Sequence, residues 1–319
     1  MKKIVAIVAG DPESISSELI AKAWKKKQKY KNINIFIIGN FNLIKKQLYI
    51  LNIKNNLKKV LNLNYEDLHK NLFVYDVPLN FKNAFKINSK SKAKYVIKCF
   101  EIAIKLSKLK KIHGFINCPV NKKDIFKSNF GVTEFLARKS NILGKEAMII
   151  FNKKLSVSPI TTHIKVKQVS KSLTKKIIYE KVKTINEFYK EKFRFKPKIG
   201  ILGLNPHNYE LRNDSEEKKI IIPAIKKLQK KGIKVTGPLS GDTAFLKSRN
   251  FHILVGMYHD QVLSPYKAIH NFNAINITAG LPYVRVSPDH GTGKDIIKKN
   301  IANPMSLIES IKFFNQFNV

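Results

Sequence analysis

Cysteine is nearly absent from this chain: two in 319 residues, Cys99 and Cys118, with no metal-ligand spacing between them. That argues against a disulfide framework and fits a reducing cytoplasm. Arginine is almost as scarce, at Arg138, Arg194, Arg212, Arg249 and Arg285, against a formal charge of +38. Arginine is the preferred residue for bidentate phosphate and base contacts, so its scarcity argues against a nucleic-acid surface. Lysine, asparagine and isoleucine, all encoded by AT-rich codons, are abundant, and the lysines are spread along the whole chain. The charge therefore reads as compositional drift, although a general positive field still attracts acidic small substrates. Long apolar runs are missing too: none approaches the roughly 20 residues needed to span a bilayer. The start, Met1 to Ala9, mimics a signal peptide only faintly. Asp11, Pro12 and Glu13 stand where a cleavage site would lie, so it reads as a buried first strand. Neither G-x-G-x-x-G nor G-x-x-x-x-G-K-[ST] occurs, no repeat is apparent, and there is no long Gly/Ser or Pro linker.

What is present is an alternation of apolar runs with amphipathic segments, in a chain that is 44% hydrophobic. The runs predict strands at Ile4–Val8, Ile33–Ile38, Leu72–Val77, Gly114–Asn117, Ala147–Phe151, Lys198–Leu204, His252–Met257 and Ala274–Thr278. Helical spacing predicts helices at Ser17–Tyr30, Ala93–Leu109, Leu173–Phe193, Glu216–Lys231 and Pro304–Phe314, with Ser172 or Thr174 capping the third. Strands alternating with helices imply an α/β fold around a mainly parallel, helix-covered sheet. The length allows two lobes or one large unit, and with no linker the chain should cross between lobes.

Three histidines follow strand candidates and stand beside polar residues: His163 in Pro159-Ile-Thr-Thr-His163, His207 in Leu204-Asn-Pro-His207, and His259 in Met257-Tyr-His-Asp-Gln261. Ligands of open α/β sheets bind outside the carboxyl ends of the strands, so three imidazoles there suit a divalent metal with an open position. Thr161 or Thr162, Asn205 and Asp260 are candidate partners for these rings. His69, His113, His252 and His270 lack that context. A second constellation is Lys267, Asn276 and Arg285, an ammonium, an amide and a guanidinium that would make an anion clamp. Arg285 is the sharper signal, because it lies between apolar residues in an arginine-poor chain. A third is the loop Asp289-His-Gly-Thr-Gly293 with Asp295 and Asn303-Pro304, whose backbone N–H groups could meet a nucleotide.

These segments together resemble the 4-hydroxythreonine-4-phosphate dehydrogenase family of vitamin B6 synthesis. The matching pieces are Gly10-Asp-Pro12 with Glu18, Gly131–Ala137, Thr161-Thr-His163, Gly203-Leu-Asn-Pro-His207 with Glu216-Glu217, Gly237–Thr243, Tyr258-His-Asp-Gln261 and Gly280–Thr292, in order along essentially the whole chain. The segment His290–Asp295 through Ala302-Asn-Pro304 also resembles the NAD loop of the isocitrate/isopropylmalate dehydrogenase superfamily.

The resemblance implies a two-lobed α/β/α fold with its active site in the interlobe cleft. Lobe I, on the cofactor side, would comprise residues 1–125 and 282–319; lobe II, with the metal, substrate and dimer interface, residues 126–281. It implies a cytoplasmic homodimer and a divalent metal (Zn2+, Co2+ or Mg2+) held by His163, His207 and His259, with ligands drawn from both subunits. It implies substrate contacts from Thr133, Lys267, Asn276 and Arg285. The NAD or NADP contacts would come from His290, Gly291, Thr292, Asp295 and Asn303. The family oxidises the 3-hydroxyl of 4-phosphooxy-threonine, and the β-keto acid loses CO2 to give 3-amino-2-oxopropyl phosphate. Lys267, Asp242 and Asp260 are the candidate proton acceptors, Asp242 and Lys267 ahead of Asp260.

Three positions depart from the family pattern. Val132 stands where the family has a substrate-contacting histidine. Ser14, Ser16 and Ser17 replace two glycines and a proline of the first loop. The loop Asn208–Ser215 lacks the family's glycines. These departures motivate a second enzyme reading, oxidation of a 4-phosphorylated sugar acid such as threonate or erythronate phosphate, and a third, a non-catalytic binding protein. Nucleic-acid binding through the +38 charge is a fourth, and predicts strongly salt-dependent association.

Overall fold

Val5 to Val8 and Ile35 to Ile38 are completely buried. Strands apolar on both faces are what a parallel sheet covered by helices requires. The computed structural model describes residues 2–61, 70–126, 131–270 and 274–316; His69 lies outside them. In chain order the strands are β1 (Lys3–Val8), β2 (Ile33–Gly39), β3 (Leu57–Val60), β4 (Leu72–Asp76), β5 (Gly114–Asn117), β6 (Ala147–Phe151), β7 (Ser156–Thr161), β8 (Ile199–Leu202), β9 (Val235–Leu239), β10 (Ile253–Tyr258), β11 (Ile275–Ala279) and β12 (Arg285–Pro288). The α-helices are α1 (Ser16–Lys25), α2 (Phe41–Ile50), α3 (Ser89–Lys108), α4 (Lys122–Phe126), α5 (Val132–Lys139), α6 (Val169–Ser172), α7 (Lys175–Phe193), α8 (Ile222–Lys230), α9 (His259–His270) and α10 (Met305–Phe313).

The chain forms two compact units, Met1–Phe135 with Pro282–Phe317, and Leu136–Leu281. In the first, the strands run β3-β4-β2-β1-β5-β12, every pairing parallel. In the second they run β11-β6-β7-β10-β8-β9. There β7, β10, β8 and β9 are parallel, while β6 pairs antiparallel with both β11 and β7, so the sheet is mainly parallel, as strand–helix alternation implies. Among the described residues no helix is long and apolar enough to cross a membrane.

Local chemistry sets the element ends. The third helix starts before Ala93 because Asn88 accepts hydrogen bonds from Lys90 N and Ser91 N, capping α3. Thr174 caps α7 by accepting from Ile177 N at 3.1 Å. The first helix stops at Lys25, and a 3-10 turn over Lys27–Tyr30 folds Tyr30 back so that its hydroxyl donates to Ala23 O. The strand β9 holds Pro238 at the sheet edge, where no backbone donor is needed.

Each unit carries a histidine that pins the start of a strand. His113 Nδ1 accepts from Ile4 N at 3.0 Å, and His252 Nδ1 accepts from Lys198 N at 2.9 Å. Burial lowers both pKa values below the ordinary 6.5, helped by Lys3 at His113 and by Lys198 and Lys234 at His252. A base with a lowered folded pKa binds fewer protons folded than unfolded. Its stabilisation is therefore full above pH 6.5 and is lost as pH falls from there toward the folded value. Melting temperature is expected to drop between pH 7.5 and 5.5, and H113Q with H252Q should flatten that drop. An unchanged pH profile in the double variant would refute the assignment.

Candidate active site

The second unit presents three histidines at one sheet edge. Strands β7, β10 and β8 are adjacent and parallel, so the loops that follow them leave on the same side. His163 follows β7, His207 follows β8, and His259 follows β10 directly as the first residue of α9. The His163 and His259 ring centroids are 5.9 Å apart. His259 Nδ1 lies 2.7 Å from Asp260 Oδ1. An Nδ1–H donated to that carboxylate leaves the lone pair on Nε2, the tautomer a metal ligand needs. The His207 Nε2 faces Asp242 Oδ2 at 3.7 Å, and both side chains are exposed. Hydrogen bonding from Ser240, and more weakly the charge of His207, holds the Asp242 carboxyl below the usual range. Among the described residues no three His, Cys, Asp or Glu side chains of this chain close into a metal-holding group. The donor chemistry nevertheless fits a divalent ion: two facing imidazoles, one with an orienting carboxylate, and a third on the neighbouring loop.

Buried polar side chains place these loops. Glu217 is fully buried, and its Oε1 accepts Leu204 N at 2.7 Å and Asn205 N at 2.8 Å, fixing the backbone just before His207. Asn205 donates to both Glu216 and Glu217, so its amide serves this clamp rather than the His207 ring. Gln261 joins two histidine loops: it accepts from Met257 N at 2.6 Å and donates to Gly203 O at 2.7 Å. The Thr161 hydroxyl donates to Met257 O. His207, Asn208, Tyr209, Glu210 and Leu211 all have φ between 47° and 58°. A left-handed turn in residues with Cβ atoms costs roughly 1–2 kcal/mol each, and glycine would adopt it freely. Glu217→Ala is expected to destabilise the protein by about 2–4 kcal/mol, because two partly buried N–H groups lose a charged, fully buried acceptor. Urea denaturation checks this, and a loss under 1 kcal/mol would contradict it. Lys267 is half-buried on α9. Asn276 lies on β11 with its Oδ1 buried and without a hydrogen-bond partner among the described residues, an acceptor open to a ligand.

The first unit holds the guanidinium. Arg285 on β12 is only 3% exposed, and its Nε donates to Asn117 Oδ1 at 2.6 Å. Burial pushes its pKa down to about 10, against the pull of Tyr283 and Glu134, so it stays charged at neutral pH. Thr133 lies in the first turn of α5, where Glu134 Oε2 accepts Gly131 N. Val132 is buried and brings no polar atom to that turn.

The loop that follows β12 carries the cofactor candidates. His290 Nδ1 lies 3.1 Å from Gly291 O, and its Nε2 is buried without a hydrogen-bond partner among the described residues. Burial lowers the His290 pKa, which favours the neutral ring. A Cβ on Gly291 would meet nothing within 4 Å, so the backbone there is open to a ligand. Thr292 O accepts Ile15 N, and Gly293 sits at φ 60° against Ile15. Glu18, buried, accepts Ala302 N at 2.7 Å, while Lys22 bridges Glu18 to the carbonyls of Asn300 and Ala302. Asn303 Oδ1 caps α10 through Met305 N, and Asp295 is exposed. The three serines of the first loop are buried and bonded: Ser14 to Asp11 O and Ser16, and Ser17 to Gln47. Beside them Lys92, 2% exposed, pairs with Glu13 at 3.0 Å and Asp124 at 2.9 Å and lies 3.9 Å from Asp11. Sequence reading missed Lys92, which looks like any other lysine in a lysine-rich chain. It named Glu217 without a role.

The comparisons with known proteins agree with the motifs. The family model "Pyridoxal phosphate biosynthetic protein PdxA" matches residues 31–314. A 4-hydroxythreonine-4-phosphate dehydrogenase of Sulfurihydrogenibium sp. (strain YO3AOP1) is 43% identical over 97% of this chain and 96% of its own. A D-threonate 4-phosphate dehydrogenase of Pectobacterium atrosepticum is 29% identical over 99% of both. The crystal structure of a 4-hydroxythreonine-4-phosphate dehydrogenase from Klebsiella pneumoniae superposes with TM-score 0.85 over 98% of both chains at 27% identity. Isocitrate dehydrogenase from Methylococcus capsulatus, 10% identical, shares the fold at TM-score 0.50 over 98% of this chain and 85% of its own. Both the family and the isocitrate-dehydrogenase-like α/β fold expected from the sequence are therefore met. With a family model across most of its length and a full-length relative at 43% identity, this chain belongs to the PdxA family of pyridoxal phosphate biosynthetic proteins.

Proposed function

We propose that this protein oxidises 4-phosphooxy-L-threonine at its 3-hydroxyl with NAD or NADP. Loss of CO2 then gives 3-amino-2-oxopropyl phosphate. The observation that carries the reading is the delivery of three imidazoles to one edge of the β7-β10-β8 sheet, two of them 5.9 Å apart. His163, His207 and His259 would hold a divalent ion. When bound, that ion would supply a Lewis acid and the nicotinamide cofactor a hydride acceptor. Arg285 and Thr133 bind the anionic end, and the open Asn276 Oδ1 takes a substrate donor such as the ammonium. Asp260 already bonds His259, and the Ser240 hydrogen bond makes Asp242 a weaker base. Lys267 is therefore our candidate to take the hydroxyl proton.

A homodimer completes the site in this reading. Exposed apolar side chains flank two of the histidine loops and the Asp242 loop: Ile164 and Val166 after His163, Tyr209 and Leu211 after His207, and Leu246, 82% exposed, after Asp242. Exposed apolar groups on several loops around one site suit a protein interface. A second reading, D-threonate 4-phosphate as substrate, is favoured by the loss at Val132 of any polar group beside Thr133, and a relative carries that name. Comparing kcat/KM for the two phosphorylated acids decides. The first reading expects the threonine derivative to exceed D-threonate 4-phosphate by at least about tenfold, the effect of one well-made hydrogen bond. The reverse order would replace it with the second.

A further inference from the structure

The parallel register of β10 and β8 sets Leu254 beside Gly200 and Val255 beside Ile201. Carried two residues further, the same register sets Met257 opposite Gly203. The Gln261 side chain stands between these two: its Oε1 accepts Met257 N at 2.6 Å, and its Nε2 donates to Gly203 O at 2.7 Å. The orientation of the amide is forced, because a backbone N–H needs an acceptor and a carbonyl needs a donor. An ordinary rung of a sheet is one hydrogen bond of about 2.9 Å. Here two hydrogen bonds and the width of a carboxamide lie between the strands, so β10 and β8 part at their carboxyl ends by a fixed amount. Both backbones are also held on their far sides. Gly203 N donates to Leu239 O of β9 at 2.9 Å, and Met257 O accepts the hydroxyl of Thr161 on β7 at 2.7 Å. The ends of β7, β10, β8 and β9 are thereby tied in one line. His163 and His259 stand two residues beyond that line, and His207 four. Gln261 can fold back onto β10 only because residue 256 is glycine: a Cβ there would stand 2.8 Å from Gln261 Oε1 and 2.5 Å from Val262 Cγ1.

We propose that Gln261 is a positioning residue: its amide is the spacer that sets how far β10 and β8 part, and so where the imidazoles of His259 and His207 stand. This rests on the reading of those imidazoles as ligands of a divalent ion, and two measurements on the full-length protein keep the two claims apart. The first needs no metal. In metal-free Gln261→Leu, hydrogen exchange is expected to quicken at least about fivefold in the segments Met257–His259 and Gly203–His207, the effect of one lost hydrogen bond, while β1 exchanges as in the parent. The second titrates Co2+ into the same variant and follows its visible absorption. Affinity is expected to fall about 10- to 100-fold, the usual effect of losing a group that orients a ligand, and the absorption spectrum should change with it. If leucine prevents folding, Gln261→Asn takes its place, since it keeps the amide but is one methylene too short to make both bonds. A merely structural bond would lower the melting temperature and leave Co2+ affinity and spectrum as in the parent. Co2+ affinity within about threefold of the parent's in a folded variant therefore overturns the proposal, as does unchanged exchange in both segments. Parent protein that takes up no Co2+ would remove the metal reading instead, and the exchange pattern would still decide whether Gln261 fixes the two loops.

Discussion

His259→Ala is expected to lower kcat/KM by about a thousandfold or more and to strip the protein of tightly bound divalent metal. A Lewis acid at a reacting oxygen is worth several kcal/mol of transition-state stabilisation, and each 1.4 kcal/mol is a factor of ten in rate. His259 joins β10 to α9, faces His163, and has its Nδ1 fixed by Asp260. Its side chain is about one-third exposed, so alanine should cost little stability and the variant should fold. Asp260→Asn keeps the imidazole and removes only its orienting charge. It should cost about 10- to 100-fold in metal affinity, the usual effect of losing such a partner. Elemental analysis with steady-state kinetics checks both, and a His259→Ala protein that keeps its metal and its rate would remove His259 from the site.

Arg285→Met is expected to lower kcat/KM by about a thousandfold, mostly through KM. Two charge-assisted hydrogen bonds to an anion are worth roughly 3–6 kcal/mol together. Arg285 has the chemistry for that: it is buried on β12, charged at neutral pH and fixed through its Nε by Asn117. Methionine fills the space but strands Asn117 Oδ1, so a stability loss of about 1–3 kcal/mol should accompany the kinetic loss. Arg285→Lys should rescue little, because an ammonium cannot reproduce the planar fork. A KM within threefold of the parent in Arg285→Met would take this residue out of substrate binding.

The elements legible in the sequence were those whose apolar pattern is complete. Strands β5 and β6 were read to their exact ends because Gly114, Asn117 and Lys145-Glu146 bracket wholly apolar runs. The strand β7 was missed as a strand of its own, since Ser156, Ser158 and Pro159 break its pattern; the fold buries it whole, with Tyr189 bonding Ser156. In β3, half of the residues are exposed lysines at the edge of the packed core. Helix α9 was hidden by Pro265 and by a site motif at its start. At the candidate site, strand-end context singled out the histidines, and an apolar setting in an arginine-poor chain singled out Arg285. The groups that place the histidine loops, Glu217 and Gln261, and the buried Lys92 beside the first loop act through tertiary hydrogen bonds that no local spacing reveals. The missing first-loop glycines also read differently in three dimensions: Ser14, Ser16 and Ser17 are buried and hydrogen-bonded in place of the flexible backbone.

The most direct measurement follows NADH and CO2 together, from 4-phosphooxy-L-threonine labelled at its carboxyl carbon, before and after removal of divalent metal. The account predicts one CO2 for each NADH, loss of both on metal removal and recovery of both when a divalent ion is returned. NADH formed without CO2, or turnover unchanged after metal removal, would contradict it.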